Sequence, residues 1–243
     1  MTDPFRHHPG LRDKIKPAAT SFFRTMTAER VRAIMAERGV EDRFPYYPDA
    51  TREALRAEAL AGQSGDLWVF AYGSLLWDPA LEFIDLRRAH APRHARRFIL
   101  VDTYGARGTE AAPGLMAALD DGAGCDGLVF RIAADTVDRE TEILFRREMI
   151  GPGYHARMVP VRIEGREARA LTFIADHSSA MMRADITRAE QVRFAATGEG
   201  FLGTSYDYLA STVAHLAELG IEDADASALL AEVRAARKAA RDP

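Results

Sequence analysis

Six short apolar segments follow one another closely between Leu67 and Asp176, and this pattern constrains the fold more than any other feature of the chain. Each segment has the length and the β-branched or aromatic content of a strand, and turn-forming residues separate several of them. Only one helical segment interrupts the series, whereas parallel strands need a crossover connection. The pattern therefore predicts a small, mainly antiparallel β-barrel. The six segments are LWVFAY, RRFILVDTY, GLMAAL, CDGLVFRI, ARMVPVRI and RALTFIA.

Helical segments flank the predicted barrel in the sequence. Three follow the strands, namely ITRAEQVRFAAT, SYDYLASTVAHLAELG and DASALLAEVRAARKAAR. Near the N-terminus, Thr27 is a suitable N-cap for one short amphipathic helix that ends at Gly39. Prolines and charges around it predict an irregular arm that lies over a neighbouring surface. We therefore expect an α+β fold with an N-terminal helical arm at 1–66, a barrel domain at 67–234 and a basic C-terminal tail at 235–243.

The composition is that of an ordinary globular protein. The chain has 243 residues, of which 47% are hydrophobic, so it can bury a substantial core. Its net charge of -4 gives no general attraction to nucleic acid or anionic membranes, and no apolar run approaches the roughly 20 residues of a membrane span. Cys125 is the single cysteine, and the first ten residues lack the apolar stretch of a secretory signal. We expect a cytoplasmic protein without nucleic-acid or membrane partners.

Several familiar site signatures are missing from the sequence. It contains no GxxxxGK[ST], HExxH, CxxC or GxSxG motif, which argues against a phosphate-binding loop, a zincin, a thiol redox centre and a hydrolase elbow. GEGFLG at 198–203 matches GxGxxG, but the dinucleotide fingerprint requires a preceding strand and the segment before it is helical. We interpret it as a glycine-rich link between two helices whose backbone comes close to another part of the protein.

The one helical segment inside the strand series, DTVDRETEILFRREMIGPGY, carries a carboxylate on its apolar face. At about 100° per residue, Glu148 shares the face of Leu144 and Phe145. Arg146 and Arg147 point elsewhere, so neither is automatically its partner. Desolvation raises the pKa of an inward-facing carboxyl, which can then act as a base near neutral pH. The alternative is that the helix end frays and Glu148 turns to water or pairs with an arginine across the fold.

The segment LWVFAYGSLLW, at 67–77, breaks in its middle into Tyr-Gly-Ser. A buried strand would continue, and a surface turn would be polar on both sides. Free main-chain N–H groups at such a turn can bind a carboxylate, and a buried base such as Glu148 can deprotonate an amine. Together the two features suggest an acid–base enzyme that acts on a small anionic molecule.

Five motifs follow one another along the chain, namely WVFAYGSLLW, RGTEAAPGLMAALD, CDGLVFRI, RREM followed by GY, and GTSYDYLASTVAHLAELGIED. The same motifs occur in this order in the ChaC-type γ-glutamylcyclotransferases, and the sequence resembles that family over about residues 67–234. The resemblance implies a small β-barrel flanked by helices that needs no metal or cofactor. It implies cleavage of a γ-glutamyl compound, typically glutathione, to 5-oxoproline and a released amine such as cysteinylglycine.

The resemblance also implies roles for individual residues. Glu148 matches the catalytic glutamate, which would take the proton of the substrate's α-amine and later protonate the leaving nitrogen. The turn matches a loop whose main-chain amides hold the glutamyl α-carboxylate. Arg107 and Tyr154 also fall in matching motifs and are assigned to substrate binding. The alternative role of Arg107 is pairing with Glu110, and that of Tyr154 is packing in the core. The predicted substrate-binding residues are Val69, Phe70, Ala71, Tyr72, Gly73, Ser74, Leu75, Arg107 and Tyr154.

Two tyrosines near the glycine-rich link are less clearly assigned. For Tyr206 and Tyr208 we expect packing, with a place in the pocket as the alternative for one of them.

One position departs from the family pattern, because the residue before Tyr72 is usually glycine and is Ala71 here. Its methyl group either narrows the pocket or only changes the packing of the strand. A cyclotransferase for other γ-glutamyl amines or amino acids is therefore an alternative to a glutathione enzyme. A non-catalytic binding or regulatory module is a second alternative, against which the presence of Glu148 argues.

Overall fold

The computed structural model describes residues 3–39 and 43–241. Seven strands of this part of the chain form one sheet, and five of them close into a barrel in the order β1-β5-β2-β6-β7. Neighbouring barrel strands are antiparallel, except that β7 pairs with β1 in parallel where Val69 faces Leu171. The barrel strands are β1 (Leu67–Ala71), β2 (Asp85–Ala91), β5 (Cys125–Ile132), β6 (Tyr154–Ile163) and β7 (Arg166–Ala175).

The other two strands of the sheet form a long hairpin beside the barrel. They are β3 (His94–Tyr104) and β4 (Thr109–Asp121), and β4 joins the barrel by pairing with β7. Three helices cover this hairpin: α4 (Arg188–Thr197), α5 (Ser205–Glu218) and α6 (Ala224–Ala239). Their apolar faces share a buried cluster with side chains of both hairpin strands. Between α4 and α5 lie two short strands, β8 (Glu199–Gly200) and β9 (Gly203–Thr204).

The remaining helix of the predicted domain, α3 (Val137–Glu148), packs against the barrel. Its residues Leu144 and Phe145 belong to one buried cluster with alternate residues of the barrel strands, among them Val69 and Ala71. The intervening side chain Phe70 joins a second cluster, made up of residues of the strands. Both faces of β1 are therefore buried, and the predicted α+β fold with a small barrel and flanking helices is confirmed.

Strand β2 was missed by sequence analysis. Its sequence, DLRRAHA, intersperses apolar residues with charged and polar ones, so it lacks the apolar run by which the other long strands were recognised. Asp85 is buried here, but Arg6 from the arm and Arg87 lie 2.7 and 3.2 Å from its carboxylate. The charge is paired across segments that are distant in sequence, which a local pattern does not reveal.

The N-terminal arm contains two α-helices, so the prediction of one short helix was wrong. They are α1 (Ala28–Glu37), which Thr27 caps as predicted, and α2 (Asp49–Ala59). The prolines before α2 suggested irregular structure, but Pro48 occupies the N-cap position, where its missing N–H removes no helical hydrogen bond. At the other end, α6 continues through the predicted domain boundary at 234 as far as Ala239.

Among residues 3–39 and 43–241, no helix has both the length and the apolar character that crossing a membrane requires.

Candidate active site

A cavity of about 180 Å³ lies where α3 ends, between the turn after β1, the β3–β4 hairpin and the N-terminal arm. One water molecule needs roughly 10–15 Å³ of such space, so the cavity can take a small-molecule ligand. The polar side chains that line it include Ser74, Arg107, Arg147, Glu148, Tyr154 and Tyr208. The structure thus brings together Glu148 and three of the predicted substrate-binding residues.

Glu148 is the last residue of α3, and its side chain is 15% exposed. Burial raises the pKa of its carboxyl, and the positive charge of Arg147 offsets part of this effect. Such a carboxyl can gain and release a proton closer to neutral pH than an exposed one.

Arg147 is the ion-pair partner of Glu148, which corrects the expectation that both arginines point away from it. Its Nε lies 2.8 Å from Oε1 of Glu148. The two residues are 100° apart around the helix, but a long arginine side chain at the last turn can bend back across that angle. Arg146 does point elsewhere, towards Glu142 at 3.7 Å.

Arg147 also connects the carboxylate to the turn after β1. It donates hydrogen bonds from one terminal nitrogen to Oγ of Ser74, at 2.8 Å, and from the other to the main-chain oxygen of Asp78. Its side chain is only 4% exposed. One guanidinium therefore holds Glu148 and the turn in a common geometry.

The turn begins where β1 ends and continues as one turn of 3₁₀-helix over Ser74–Leu76. In the described part of the chain, the main-chain N–H groups of Ser74 and Leu75 have no hydrogen-bond acceptor. A Cβ at Gly73 would lie 2.7 Å from the hydroxyl oxygen of Tyr208, so this close approach requires glycine. The turn therefore presents free amide donors beside Glu148.

The other side chains predicted to bind substrate in this segment do not line the cavity. Val69, Phe70 and Ala71 have no exposed surface, and Leu75 belongs to the buried cluster of the barrel. Tyr72 is also buried and donates its hydroxyl to the main-chain oxygen of Phe173, at 2.9 Å. The Ala71 methyl group consequently fills the core instead of narrowing the cavity.

Arg107 lines the cavity from the hairpin between β3 and β4. It donates hydrogen bonds to the main-chain oxygens of Leu202, at 2.8 Å, and Thr204, at 3.3 Å. The alternative pairing with Glu110 does not occur, because Glu110 binds Arg43 at 2.8 Å. In the described part of the chain no carboxylate forms a salt bridge with Arg107, and burial lowers the pKa of its guanidinium.

The glycine-rich link that holds Arg107 approaches other backbone closely, as the sequence predicted. The N–H groups of Phe201 and Leu202 donate to the main-chain oxygens of Gly105 and Ala106 at 2.9 and 2.8 Å. A Cβ at Gly200 would lie 2.2 Å from the oxygen of Gly105.

Two tyrosines, Tyr154 and Tyr208, also belong to the polar part of the wall. Burial raises the pKa of both Tyr154 and Tyr208, and the nearby charge of Glu148 adds to this rise. Both phenols therefore stay protonated near neutral pH and can donate hydrogen bonds. Tyr206 packs instead beneath Arg237, whose guanidinium lies 4.3 Å from the ring centre.

Sequence analysis missed the contribution of the N-terminal arm to this cavity. The clusters SFFRTM and FPYY were the available signal, because they are apolar groups within an otherwise polar segment. The arm side chains that line the cavity are Phe23, Met26, Val31, Met35, Phe44 and Tyr46.

The fold is shared with a crystal structure described as a γ-glutamyl cyclotransferase specific to glutathione from yeast. The TM-score is 0.66 at 24% sequence identity, and the match covers 72% of this chain and 98% of the yeast chain. This likeness defines the class of fold, a γ-glutamylcyclotransferase-like barrel.

Sequence comparison then identifies the family. A family model described as a ChaC-like protein matches residues 67–236. The glutathione-specific γ-glutamylcyclotransferase of Escherichia coli K12 is 36% identical over 172 residues, which are 70% of this chain and 74% of that protein. The protein of the same name from Schizosaccharomyces pombe is 29% identical over 70% of this chain and 93% of its own length. The chain belongs to the ChaC-like family, and the resemblance found in the sequence is confirmed.

Proposed function

We propose that the protein is a γ-glutamylcyclotransferase that cleaves glutathione to 5-oxoproline and cysteinylglycine. Its family and the names of the relatives from Escherichia coli and Schizosaccharomyces pombe support this activity. The observation that carries the proposal is that Glu148, a buried carboxyl with a raised pKa, lines the same cavity as Ser74. A base beside a turn with free amides suits the cyclisation of an amino-acid substrate.

The turn binds the glutamyl end of the substrate in this proposal. The α-carboxylate accepts hydrogen bonds from the main-chain N–H groups of Ser74 and Leu75. The Ser74 hydroxyl oxygen accepts a hydrogen bond from Arg147, so its own proton is free to be donated to the same carboxylate. The α-amine of the bound glutamyl group then faces Glu148.

The reaction is an intramolecular displacement. The α-amine attacks the γ-carbonyl carbon, a new C–N bond closes the five-membered ring, and the C–N bond to the leaving group breaks. Glu148 takes a proton from the amine and delivers it to the leaving nitrogen, so the carboxylate is regenerated without a protein nucleophile. A placed base of this kind typically contributes about 100- to 10,000-fold, and restricting the substrate's rotamers adds to it.

Tyr154 and Tyr208 are suited to stabilising the transition state. Negative charge develops on the γ-carbonyl oxygen as the amine adds, and hydrogen-bond donors already in place lower the energy of that charge. Because both phenols stay protonated, each has a hydroxyl hydrogen that it can donate to this oxygen. We assign them this role.

Arg107 accounts for the choice of glutathione over simple γ-glutamyl amines. It is a half-buried cation without a salt-bridge partner among the described residues, so an anionic ligand would offset the cost of its partial desolvation. Its guanidinium lies 5.0 Å from the centre of the Tyr208 ring, whose hydroxyl is next to Gly73. The glutamyl carboxylate occupies the turn, and we assign the second carboxylate of glutathione, that of its glycine, to Arg107.

The proposed activity is tested by incubating the purified protein with glutathione and following 5-oxoproline and cysteinylglycine together. We expect the two products in equal amounts. Turnover of γ-glutamyl amines without turnover of glutathione would establish the alternative cyclotransferase. Absence of turnover with either substrate class would contradict the enzyme proposal and favour a binding module.

Replacing Arg107 with methionine is expected to raise the KM for glutathione at least about tenfold, because a charge-assisted contact to the glycine carboxylate is lost. The matched substrate is glutathione whose glycine carboxylate is converted to the amide. Steady-state kinetics should show that wild type discriminates against the amide and that the variant does not. If the wild-type protein used glutathione and its glycine amide equally well, Arg107 would not bind the glycine carboxylate, and no variant would be needed to show it.

Replacing Ala71 with glycine is expected to lower the free energy of unfolding by about 1–2 kcal/mol, because a buried methyl is removed and the strand becomes more flexible. The KM for glutathione should stay unchanged, since Ala71 does not line the cavity. Urea unfolding and steady-state kinetics measure the two effects. A changed KM at unchanged stability would place the methyl in the pocket after all.

We also propose that the enzyme is cytoplasmic and independent of a cofactor. Cys125 is buried and unpaired, so the fold uses no disulfide within the chain and needs no oxidising compartment. Ring closure transfers protons, forms one C–N bond and breaks another, without any change of oxidation state, so it requires no electron carrier.

A further inference from the structure

The cavity wall opposite the barrel is supplied by the N-terminal arm, which lies outside the family match at 67–236. Its side chains Met26, Val31 and Met35 form a buried cluster against which Ile150 and Phe201 pack. Part of the wall of the site is therefore supplied by a segment that is additional to the family region.

Phe23 of the arm packs directly on Arg147, the ion-pair partner of Glu148. Its ring lies against the guanidinium of Arg147, with 4.0 Å between the ring centre and Cζ. Arg147 in turn holds Glu148 at 2.8 Å and Ser74 at 2.8 Å. The aromatic face covers the guanidinium, which favours one orientation of the arginine and shields its contacts from water.

The contact is held in place by a second interaction two turns earlier on α3. Arg24, the next residue, donates to both carboxylate oxygens of Glu140, which has no exposed surface. It also donates to the main-chain oxygen of Ala80, at 3.0 Å. Arg24 therefore fastens this part of the arm to the start of α3, and Phe23 reaches its end.

Other groups act on Glu148 from several elements. The charged and titratable groups facing it are Arg147 on α3, Tyr72 at the end of β1, Tyr154 on β6 and Tyr208 on α5. The tyrosines are neutral donors, so Arg147 is the cation that orients the carboxylate. Whatever fixes Arg147 consequently fixes Glu148 as well.

We propose that Phe23 is a positioning residue of the active site: by covering Arg147, the arm orients Glu148 and keeps water from it. One test of this inference measures kcat and therefore rests on the proposed cyclotransferase activity. A second test, the titration of the Glu148 carboxyl, needs no activity. Without the ring, Arg147 gains rotational freedom and water reaches the ion pair. Hydration lowers the pKa of the Glu148 carboxyl, and a looser ion pair with Arg147 raises it. Burial is the larger influence on this pKa, so the net result is a carboxyl that ionises at lower pH and is a weaker base.

The test compares Phe23→Ala with Phe5→Ala. Phe5 is a matched control, because it is also an arm aromatic beneath an arginine, Arg12 at 5.0 Å, but does not line the cavity. We expect Phe23→Ala to lower kcat about tenfold or more and to move the acidic limb of its pH profile to lower pH, whereas Phe5→Ala changes neither. Phe23→Tyr, which keeps the aromatic face, should have the kcat and the acidic limb of the wild-type protein.

A readout that needs no turnover separates this inference from the proposed function. Titration of the Glu148 carboxyl, followed by ¹³C NMR and assigned by its loss in Glu148→Gln, should shift to lower pH in Phe23→Ala. If the arm variant unfolds, the same comparison is made with Phe23→Leu, which keeps the bulk of the side chain without its aromatic face. An unshifted titration and a kcat equal to that of Phe5→Ala, in a folded variant, would overturn the proposal.

Discussion

Replacing Glu148 with glutamine is expected to lower the turnover of glutathione by about 100- to 10,000-fold and to leave substrate binding nearly unchanged. Glutamine keeps the size of the side chain and can still accept a hydrogen bond from Arg147, but it cannot take the proton of the α-amine. The loss should therefore appear in kcat and not in the dissociation constant of glutathione. Steady-state kinetics and calorimetric binding to the variant measure the two quantities.

The matched control is Glu142→Gln, on the same helix. Glu142 is exposed and pairs with Arg146 at 3.7 Å, away from Arg147, so its loss should change kcat by less than about twofold. A Glu148→Gln variant that turns over like this control would mean that another group is the base.

The pH dependence of the wild-type enzyme provides a further check on Glu148. Burial raises its pKa above the usual value of 4.5, so the active carboxylate is lost as the pH falls through the raised value. The rate should decline on the acidic side with a midpoint above 4.5. The acidic limb should be missing from the residual activity of Glu148→Gln.

Replacing Gly73 with alanine is expected to lower kcat/KM for glutathione by about 100-fold, because the added methyl would lie 2.7 Å from the hydroxyl oxygen of Tyr208. Tyr208 cannot easily move aside. Its hydroxyl accepts the N–H of Ala117, at 3.3 Å, and its ring packs against Trp77 with centres 5.5 Å apart. The turn must shift instead, which carries the amides of Ser74 and Leu75 away from the substrate.

The cause of this loss can be isolated with a second substitution. Tyr208→Phe removes the oxygen that the methyl would meet, so the double variant should be about as active as Tyr208→Phe alone. Gly10→Ala is the control for adding a methyl elsewhere, because no atom lies within 4 Å of a Cβ at that position. If the losses of kcat/KM from the two substitutions simply added in the double variant, the methyl added at position 73 would not collide with the Tyr208 hydroxyl.

Much of the fold follows from local patterns in the sequence. The barrel strands other than β2 are short apolar runs bounded by turn residues, and α3 places Glu148 on the face of Leu144 as its periodicity predicts. The prolines before α2 hid that helix, whereas β2 was missed because its stability depends on a distant partner. The carboxylate of Asp85 in β2, for example, is neutralised by Arg6 from the arm.

The candidate site was predicted in part. Glu148, Ser74, Arg107 and Tyr154 line one cavity, whereas Val69, Phe70 and Ala71 are core residues of the strand that leads to the turn. A motif match gives the same role to all of its consecutive residues. In a strand, however, successive residues point to opposite faces, and only the end of β1 reaches the cavity. Proximity in sequence is therefore a poor guide to which members of a motif touch the substrate.

By itself, the sequence determined the family, the barrel and the inward carboxylate, because each depends on the order and spacing of residues along one stretch of chain. Only the tertiary structure decided that Arg147 bonds both Glu148 and Ser74, and that Phe23 covers this arginine. The contact of Phe23 depends on the path of the arm across α3. That path is set by long-range pairs such as Arg24 with Glu140, which no local periodicity encodes.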